Sequence, residues 1–178
     1  FNEVARKMCD IVQNNGGALF SNTKLTGIIE REGKLVLETS GKNIIAESLI
    51  NCGGLHADSI ARMMNPNLGI RIIPFRGEYF SLSPARSSLV RGLIYPVPDP
   101  DLPFLGVHFT KTMRKGVEAG PNAVLAFARE GYSMRSLNLQ ELFDTVRYRG
   151  FWAMSTRYWK TGLAEFYRSF NKGAFTRA

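Results

Sequence analysis

The stretch that most constrains the fold is LINCGGLHADSIARMMN, residues 49–65. A short apolar run, residues 48–52, ends in Gly53-Gly54 and passes at once into a helical pattern. A run this short and this apolar predicts a strand buried on both faces. Glycine has no Cβ, so a strand tip made of it lets a ligand approach the main chain. The helix that follows adds unpaired N–H groups and partial positive charge at the same place. Open α/β sheets bind their ligands at such carboxyl ends of strands. A glycine pair also serves as a plain tight turn, and the residues alone leave both readings open. In the helix, Ile60, Met63 and Met64 fall on or near one face, and Asp58 or Ser59 is placed to cap it.

Upstream, Val4, Met8, Ile11 and Val12 recur with a helical period that stops at Asn14-Asn15-Gly16-Gly17. The residues from Lys24 to Ile50 then predict short strands with turns at REGK and SGKN. From residue 70 the texture changes. IRIIPFRGEYFSL predicts β structure interrupted by Pro74 and Gly77. Pro84, Pro96, Pro98, Pro100 and Pro103 mark a loop that leads into a strand at FLGVHFT. GVEAGPNAVLAF predicts a further strand ending at Gly120-Pro121, and the remainder, from SLNLQELFDTV onward, is helical in pattern. A boundary near residue 70 divides the chain into 1–69, with βαβ-like material, and 70–178, more antiparallel with trailing helices.

Composition narrows the function classes. With 178 residues, 44% hydrophobic and 21% charged, the chain reads as globular. No apolar run approaches the roughly 20 residues of a membrane-spanning helix. The full GxGxxG fingerprint, the Walker phosphate loop and GxSxG are all missing from the sequence. Cys9 and Cys52 make neither a CxxC nor a disulfide framework, which fits a reducing, cytoplasmic setting. His56 and His108 are too few for a zinc site without paired cysteines. The net charge of +8 concentrates after residue 147, where Glu165 is the only acid. Trp152, Tyr158, Trp159 and Tyr167 interleave with Arg157, Lys160 and Arg168 there. Such a mixture serves a nucleic-acid-binding module, an anionic membrane surface, or a helix whose aromatics form a packing face. No nucleic-acid motif accompanies the charge, so no nucleic-acid partner is expected.

The order of LINCGGLHADSIARM, IIPFRGEYFSL, LIYPVPDPDLPFLGVHFT and VEAGPNAVLAFAREGY strongly resembles the L-2-hydroxyglutarate oxidase/dehydrogenase family. These are FAD-dependent members of the D-amino-acid-oxidase-like superfamily, and the likeness runs over most of the chain. It implies an α+β or α/β fold. Residues 1–69 are expected to be the middle of a Rossmann-like FAD-binding domain, and 70–178 a mixed, largely antiparallel substrate domain with C-terminal helices. Family members are about twice as long. They open on a strand–GxGxxG–helix and close on a glycine-rich segment, neither of which is found here. The expectation is therefore an internal fragment, inactive by itself, that begins at Phe1.

The resemblance also implies roles for particular residues. Asn51, Cys52, Gly53 and Gly54 match the family's strand-end contact to the ADP half of FAD, made by backbone atoms. Leu25 lies on a strand where related flavoproteins read the adenine edge with the main chain. Arg76 suits a substrate carboxylate in a bidentate fork, or a neighbouring acid such as Glu78. Tyr79 suits a hydrogen bond to the substrate, or packing. His108 alternates with Val107 and Phe109, and suits the base that takes a hydroxyl proton, or a structural histidine. Asn122 is expected to line the pocket, and His56 is a helix-start surface residue by default. The implied chemistry is oxidation of L-2-hydroxyglutarate, a small dicarboxylate, to 2-oxoglutarate, with electrons passing to oxygen or a membrane quinone. Peripheral contact with the inner membrane through the basic-aromatic stretch is compatible with that chemistry. An exposed sheet edge would favour a homo-oligomer.

Overall fold

A computed structural model describes residues 1–98, 100, 106–113 and 116–177. The chain forms two compact units, Phe1–Gly69 and Ile70–Ala178. Each is a mixture of helices with one small antiparallel sheet, an α+β arrangement.

In the first unit, helix α1 (Asn2–Asn14) ends as its sequence predicts. Gly16, at φ +82°, donates its N–H to the carbonyl of Gln13, and Gly17 donates to that of Val12. The apolar stripe of α1 stays open: Val4, Met8, Ile11 and Val12 are all exposed. Strands β1 (Leu25–Arg31), β2 (Lys34–Thr39) and β3 (Ile44–Ala46) form a meander in the order β1-β2-β3. The REGK turn works because Glu32 and Gly33 both take positive φ, +52° and +73°, which suits the twist of a two-residue hairpin. At the second turn Thr39 Oγ1 accepts the Gly41 N–H and donates to the Lys42 carbonyl.

Two expectations for this unit need correction. Residues 48–52 form no strand, and Ile50 is 86% exposed. A strand exists through its ladder partners, and none of the described residues pairs with this segment. Helix α2 (Ala57–Met64) follows a short 3-10 turn, Gly54–His56, and starts at His56 with no side-chain cap. Asp58 sits in its first turn instead, where its carboxylate accepts the Ser59 N–H at 2.8 Å and pairs with Arg62 at 3.0 Å.

The second unit centres on strand β6 (Val117–Leu125), flanked by β4 (Phe75–Ser81) and β5 (His108–Lys111) in the order β4-β6-β5. Short helix α3 (Pro84–Ser87) follows β4. The first residues of the predicted FLGVHFT strand, Phe104 and Leu105, lie outside the described residues, as does Pro103. β6 does not end at Gly120-Pro121, as its sequence suggested, but runs through that pair. Glu78 pairs with Asn122 and Phe80 with Ala119, so Gly120 and Pro121 lie across from Tyr79 alone. That is a β-bulge, one of the few places a sheet accepts a proline. Among the described residues, Val117, Ala119, Val124 and Ala126 supply most of the buried apolar side chains, and the Phe175 ring packs tilted against Phe80 with centroids 4.4 Å apart.

Helices α4 (Leu139–Arg147), α5 (Arg149–Phe170) and α6 (Lys172–Phe175) close the unit. The predicted helical tail is thus present, with a break in α5 at Tyr158 (φ −114°, ψ 19°). Asn138 caps α4 by accepting from the N–H groups of Gln140 and Glu141. Replacement Asn138→Ala should cost about 1 kcal/mol of stability. The check is a lower urea midpoint with an unchanged m-value.

Candidate functional site

The glycine pair of the first unit serves two different needs. Asn51 Oδ1 accepts the Gly53 N–H at 3.1 Å, and its Nδ2 donates to the Ala57 carbonyl at 2.8 Å. One side chain therefore ties the segment to the helix start. A Cβ on Gly53 would fall 2.5 Å from Ile60 Cδ1, so a larger residue there would need the end of that side chain to shift. Gly54 has φ +52° and open space where its Cβ would point. Its backbone is approachable, and Asn51 and Cys52 beside it are exposed. Leu25 is half-buried on β1, opposite Thr39. His56 is half-buried at the start of α2.

In the second unit, the pleat sorts the predicted residues onto two faces. Arg76 and Glu78 lie on one face, and Gly77 and Tyr79 on the other. Directly opposed residues of an antiparallel pair share a face. Asn122, opposite Glu78, therefore lies with Arg76, and His108, opposite Gly120, lies with Gly120. A Cβ on Gly120 would meet the Tyr79 ring at 2.6 Å, which puts Tyr79 on the His108 side. The sheet thus brings Tyr79, Gly120 and His108 together on one face, and holds Arg76 and Asn122 on the other. Tyr79 is half-exposed. His108 Nδ1 lies 3.1 Å from the Gly106 carbonyl oxygen, and its ring stacks on Tyr95 with centroids 4.5 Å apart.

The Arg76 face is closed and internally paired. Arg76 is 7% exposed, and both its Nε and Nη2 donate to Glu78 Oε1, at 3.1 and 2.9 Å. Asn122 is fully buried and donates through Nδ2 to the Glu165 carbonyl at 2.8 Å. The Glu165 carboxylate accepts the Ala123 N–H at 3.0 Å and pairs with Arg168. Arg76 Nη1 and Asn122 Oδ1 are buried with no hydrogen-bond partner among the described residues. Burial pushes the Glu165 carboxyl above its ordinary value of 4.5, and Glu78 adds to the rise. Arg168 and the Ala123 N–H oppose it.

Sequence reasoning missed Glu165, Arg168 and Tyr95. Glu165 carried a signal, as the only acid in a strongly basic stretch, three residues before Arg168. Tyr95 offered only its place in the proline-rich segment. A cavity of about 340 Å³ lies between α5 and the Phe75–Leu125 end of the sheet, lined by Met154, Tyr158, Leu163 and Phe166. It is almost wholly apolar and holds none of the predicted site residues. Among the described residues no group of three or more acidic, histidine or cysteine side chains is placed to hold a metal.

Glu165 makes the second unit sensitive to pH. Its folded pKa is raised, so between 4.5 and that raised value the folded chain holds a proton that the unfolded chain has lost. Its contribution to stability therefore falls as pH climbs through that window. Glu165→Gln should remove this part of the pH dependence, because the amide oxygen still accepts from Ala123. Glu165→Ala should cost about 1–3 kcal/mol at every pH, because it strands the Ala123 N–H. Urea denaturation across the acid range separates the two variants.

Residues 2–160 match the family model described as FAD dependent oxidoreductase, the DAO family. An L-2-hydroxyglutarate dehydrogenase of Indibacter alkaliphilus is 48% identical over 98% of this chain and 44% of its own length. The mitochondrial L-2-hydroxyglutarate dehydrogenase of Nematostella vectensis is 40% identical over 97% of this chain and 41% of its own. That of Escherichia coli K12 is 38% identical over 99% and 42%. The chain thus spans less than half the length of these curated relatives. With a family match that covers most of its residues, the chain belongs to the FAD-dependent oxidoreductases.

Proposed function

We propose that this chain is part of an FAD-dependent enzyme that oxidises L-2-hydroxyglutarate to 2-oxoglutarate. The observation that carries the proposal is the sheet face that Tyr79, Gly120 and His108 share. Oxidation of a secondary alcohol needs a base for the hydroxyl proton, and a neutral imidazole has a nitrogen lone pair that can take it. Tyr79, half-exposed beside it, offers a phenol to orient the substrate. The bulge glycine between them leaves the floor of the face without a side chain.

Bound FAD supplies the acceptor for the hydride that leaves C2. The residues present fit part of that cofactor. Gly54 offers bare backbone with open space above it, next to the exposed Asn51 and Cys52. Asn51, Cys52, Gly53 and Gly54 would hold the ADP half through main-chain atoms, with Leu25 at the adenine edge. Arg76 and Asn122 lie on the opposite, closed face of the sheet, so on this reading they brace the strands beneath the site and do not share a substrate with Tyr79 and His108. Oxygen or a quinone would take the electrons onward.

The test is the absorbance of the purified chain between 300 and 500 nm, after incubation with FAD and removal of the excess. Flavin bands should stay with the protein and weaken in Gly54→Val. Bleaching by the L but not the D enantiomer of 2-hydroxyglutarate, with oxygen removed, is expected of the longer enzyme that contains this chain and not of the chain by itself. A chain that stays colourless overturns the assignment of a self-sufficient FAD contact to residues 51–54, and a longer enzyme that bleaches equally with both enantiomers overturns the substrate.

A second observation favours a membrane-surface role for α5. Trp152, Trp159 and Tyr167 are exposed on it, and Arg157 and Lys160 are exposed alongside. No described helix is long and apolar enough to cross a membrane, so the contact would be peripheral. The chain should sediment with vesicles rich in anionic lipid, release at high salt, and ignore zwitterionic vesicles. Salt-sensitive binding to DNA or RNA without vesicle binding would replace this reading with the nucleic-acid one.

A further inference from the structure

We infer that His108 presents Nε2 as its proton-accepting nitrogen, and that Tyr95 is a positioning residue that holds the ring in that orientation. The inference rests on the proposed role of His108 as base, and adds which atom acts and what sets it.

The tautomer follows from the hydrogen bond. His108 Nδ1 lies 3.1 Å from the carbonyl oxygen of Gly106. A carbonyl oxygen only accepts, so Nδ1 must carry the proton. In the neutral ring the lone pair is then on Nε2. No described residue bonds Nε2. The opposite tautomer would make Nε2 a donor, able to hydrogen-bond a hydroxyl oxygen but unable to take its proton. With Nδ1 protonated, the substrate O–H bond can break as an Nε2–H bond forms, leaving an imidazolium that the Gly106 carbonyl still accepts from.

The orientation follows from the register. Ile94 and Phe109 exchange both backbone hydrogen bonds, at 3.1 and 2.9 Å. In an antiparallel pair the next residue on one side meets the previous one on the other, so Tyr95 falls opposite His108. Their rings accordingly stack, 4.5 Å between centroids and 24° between planes. On the other flank His108 faces Gly120, which has no side chain to displace it. The imidazole is thus held from one side by a ring and at one nitrogen by a carbonyl, with no described residue bonded to its second nitrogen.

The chain has only two histidines, His56 and His108, which makes the test direct. Long-range proton–nitrogen NMR of the 15N-histidine-labelled chain reads the tautomer of each ring, and His56→Gln assigns the signals. At a pH where the ring is neutral, His108 should show a protonated Nδ1 and an unprotonated Nε2. Tyr95→Phe should keep that pattern. Tyr95→Leu should lose the upfield ring-current shift and give averaged nitrogen signals. A wild-type His108 in the Nε2–H form, or already averaged, overturns the inference without recourse to any variant. An unchanged, locked tautomer in Tyr95→Leu overturns the role of Tyr95. The measurement needs neither FAD nor substrate, so its outcome is independent of the flavin bleaching that tests the enzyme reading.

Discussion

β6 needs hydrogen-bond partners along both of its edges, and the second unit is arranged around how it finds them. One edge is met by β4 along nearly its whole length. The other is met by β5 only from Val117 to Gly120. Beyond the bulge, at Ala123, the Glu165 side chain of α5 takes the place of a strand and accepts the free N–H. A carboxylate in that position is costly to bury, since removal from water disfavours its charged form. Arg168, one helical turn on, offsets part of the cost. The need to satisfy one backbone N–H thus fixes where α5 docks and which residues it must carry.

The same demand explains why the Arg76 face is closed. Two guanidiniums, Arg76 and Arg168, and two carboxylates, Glu78 and Glu165, share one side of the sheet with Asn122 among them. Buried charges persist only when matched and hydrogen-bonded. Asn122 donates to the Glu165 carbonyl and, at a longer 3.5 Å, to Glu78 Oε2, so it joins the strand pair to the helix. The bulge then does the sorting. One extra residue on β6 at Gly120-Pro121 lets both Ala119 and Asn122 face the interior. That leaves Gly120 on the open side under Tyr79.

What the sequence disclosed depended on whether the information was local. The end of α1 at Asn14-Asn15-Gly16-Gly17 and the hairpin at REGK were legible, because capping and positive φ are properties of a few adjacent residues. The buried strand at 48–52 was misplaced because apolar composition names a strand that wants partners and does not supply them. The continuation of β6 past Pro121 was hidden because proline argues against a strand unless a bulge is present, and a bulge is visible only in the pairing. Of the candidate site, Arg76, Tyr79, His108 and Asn122 were picked out through their motifs. Their division between two faces was not, since it depends on a register shift opposite Tyr79. The Arg76–Glu78 pair was one of two readings left open, and burial explains why this arginine takes a close acid.

Glycine illustrates how one residue type carries different instructions in this chain. Gly53 is set by what lies over it, Ile60 Cδ1 and Asn51 Oδ1. Gly54 is set by its own backbone, with φ +52° and nothing nearby. Gly120 is set by Tyr79 Cδ1 and the Glu78 carbonyl oxygen, 2.6 and 2.8 Å from where a Cβ would stand. The first is crowded by side-chain ends, and its N–H already donates to Asn51. The second leaves accessible backbone, as a cofactor contact through main-chain atoms requires. The third lets Tyr79 lie over the bulge on the face that His108 shares, because a Cβ at that position would collide with the Tyr79 ring. Of the three, Gly120 bears most directly on chemistry: it keeps a phenol and an imidazole on one face, at the end of the Glu118–Gly120 stretch where β4, β6 and β5 lie side by side.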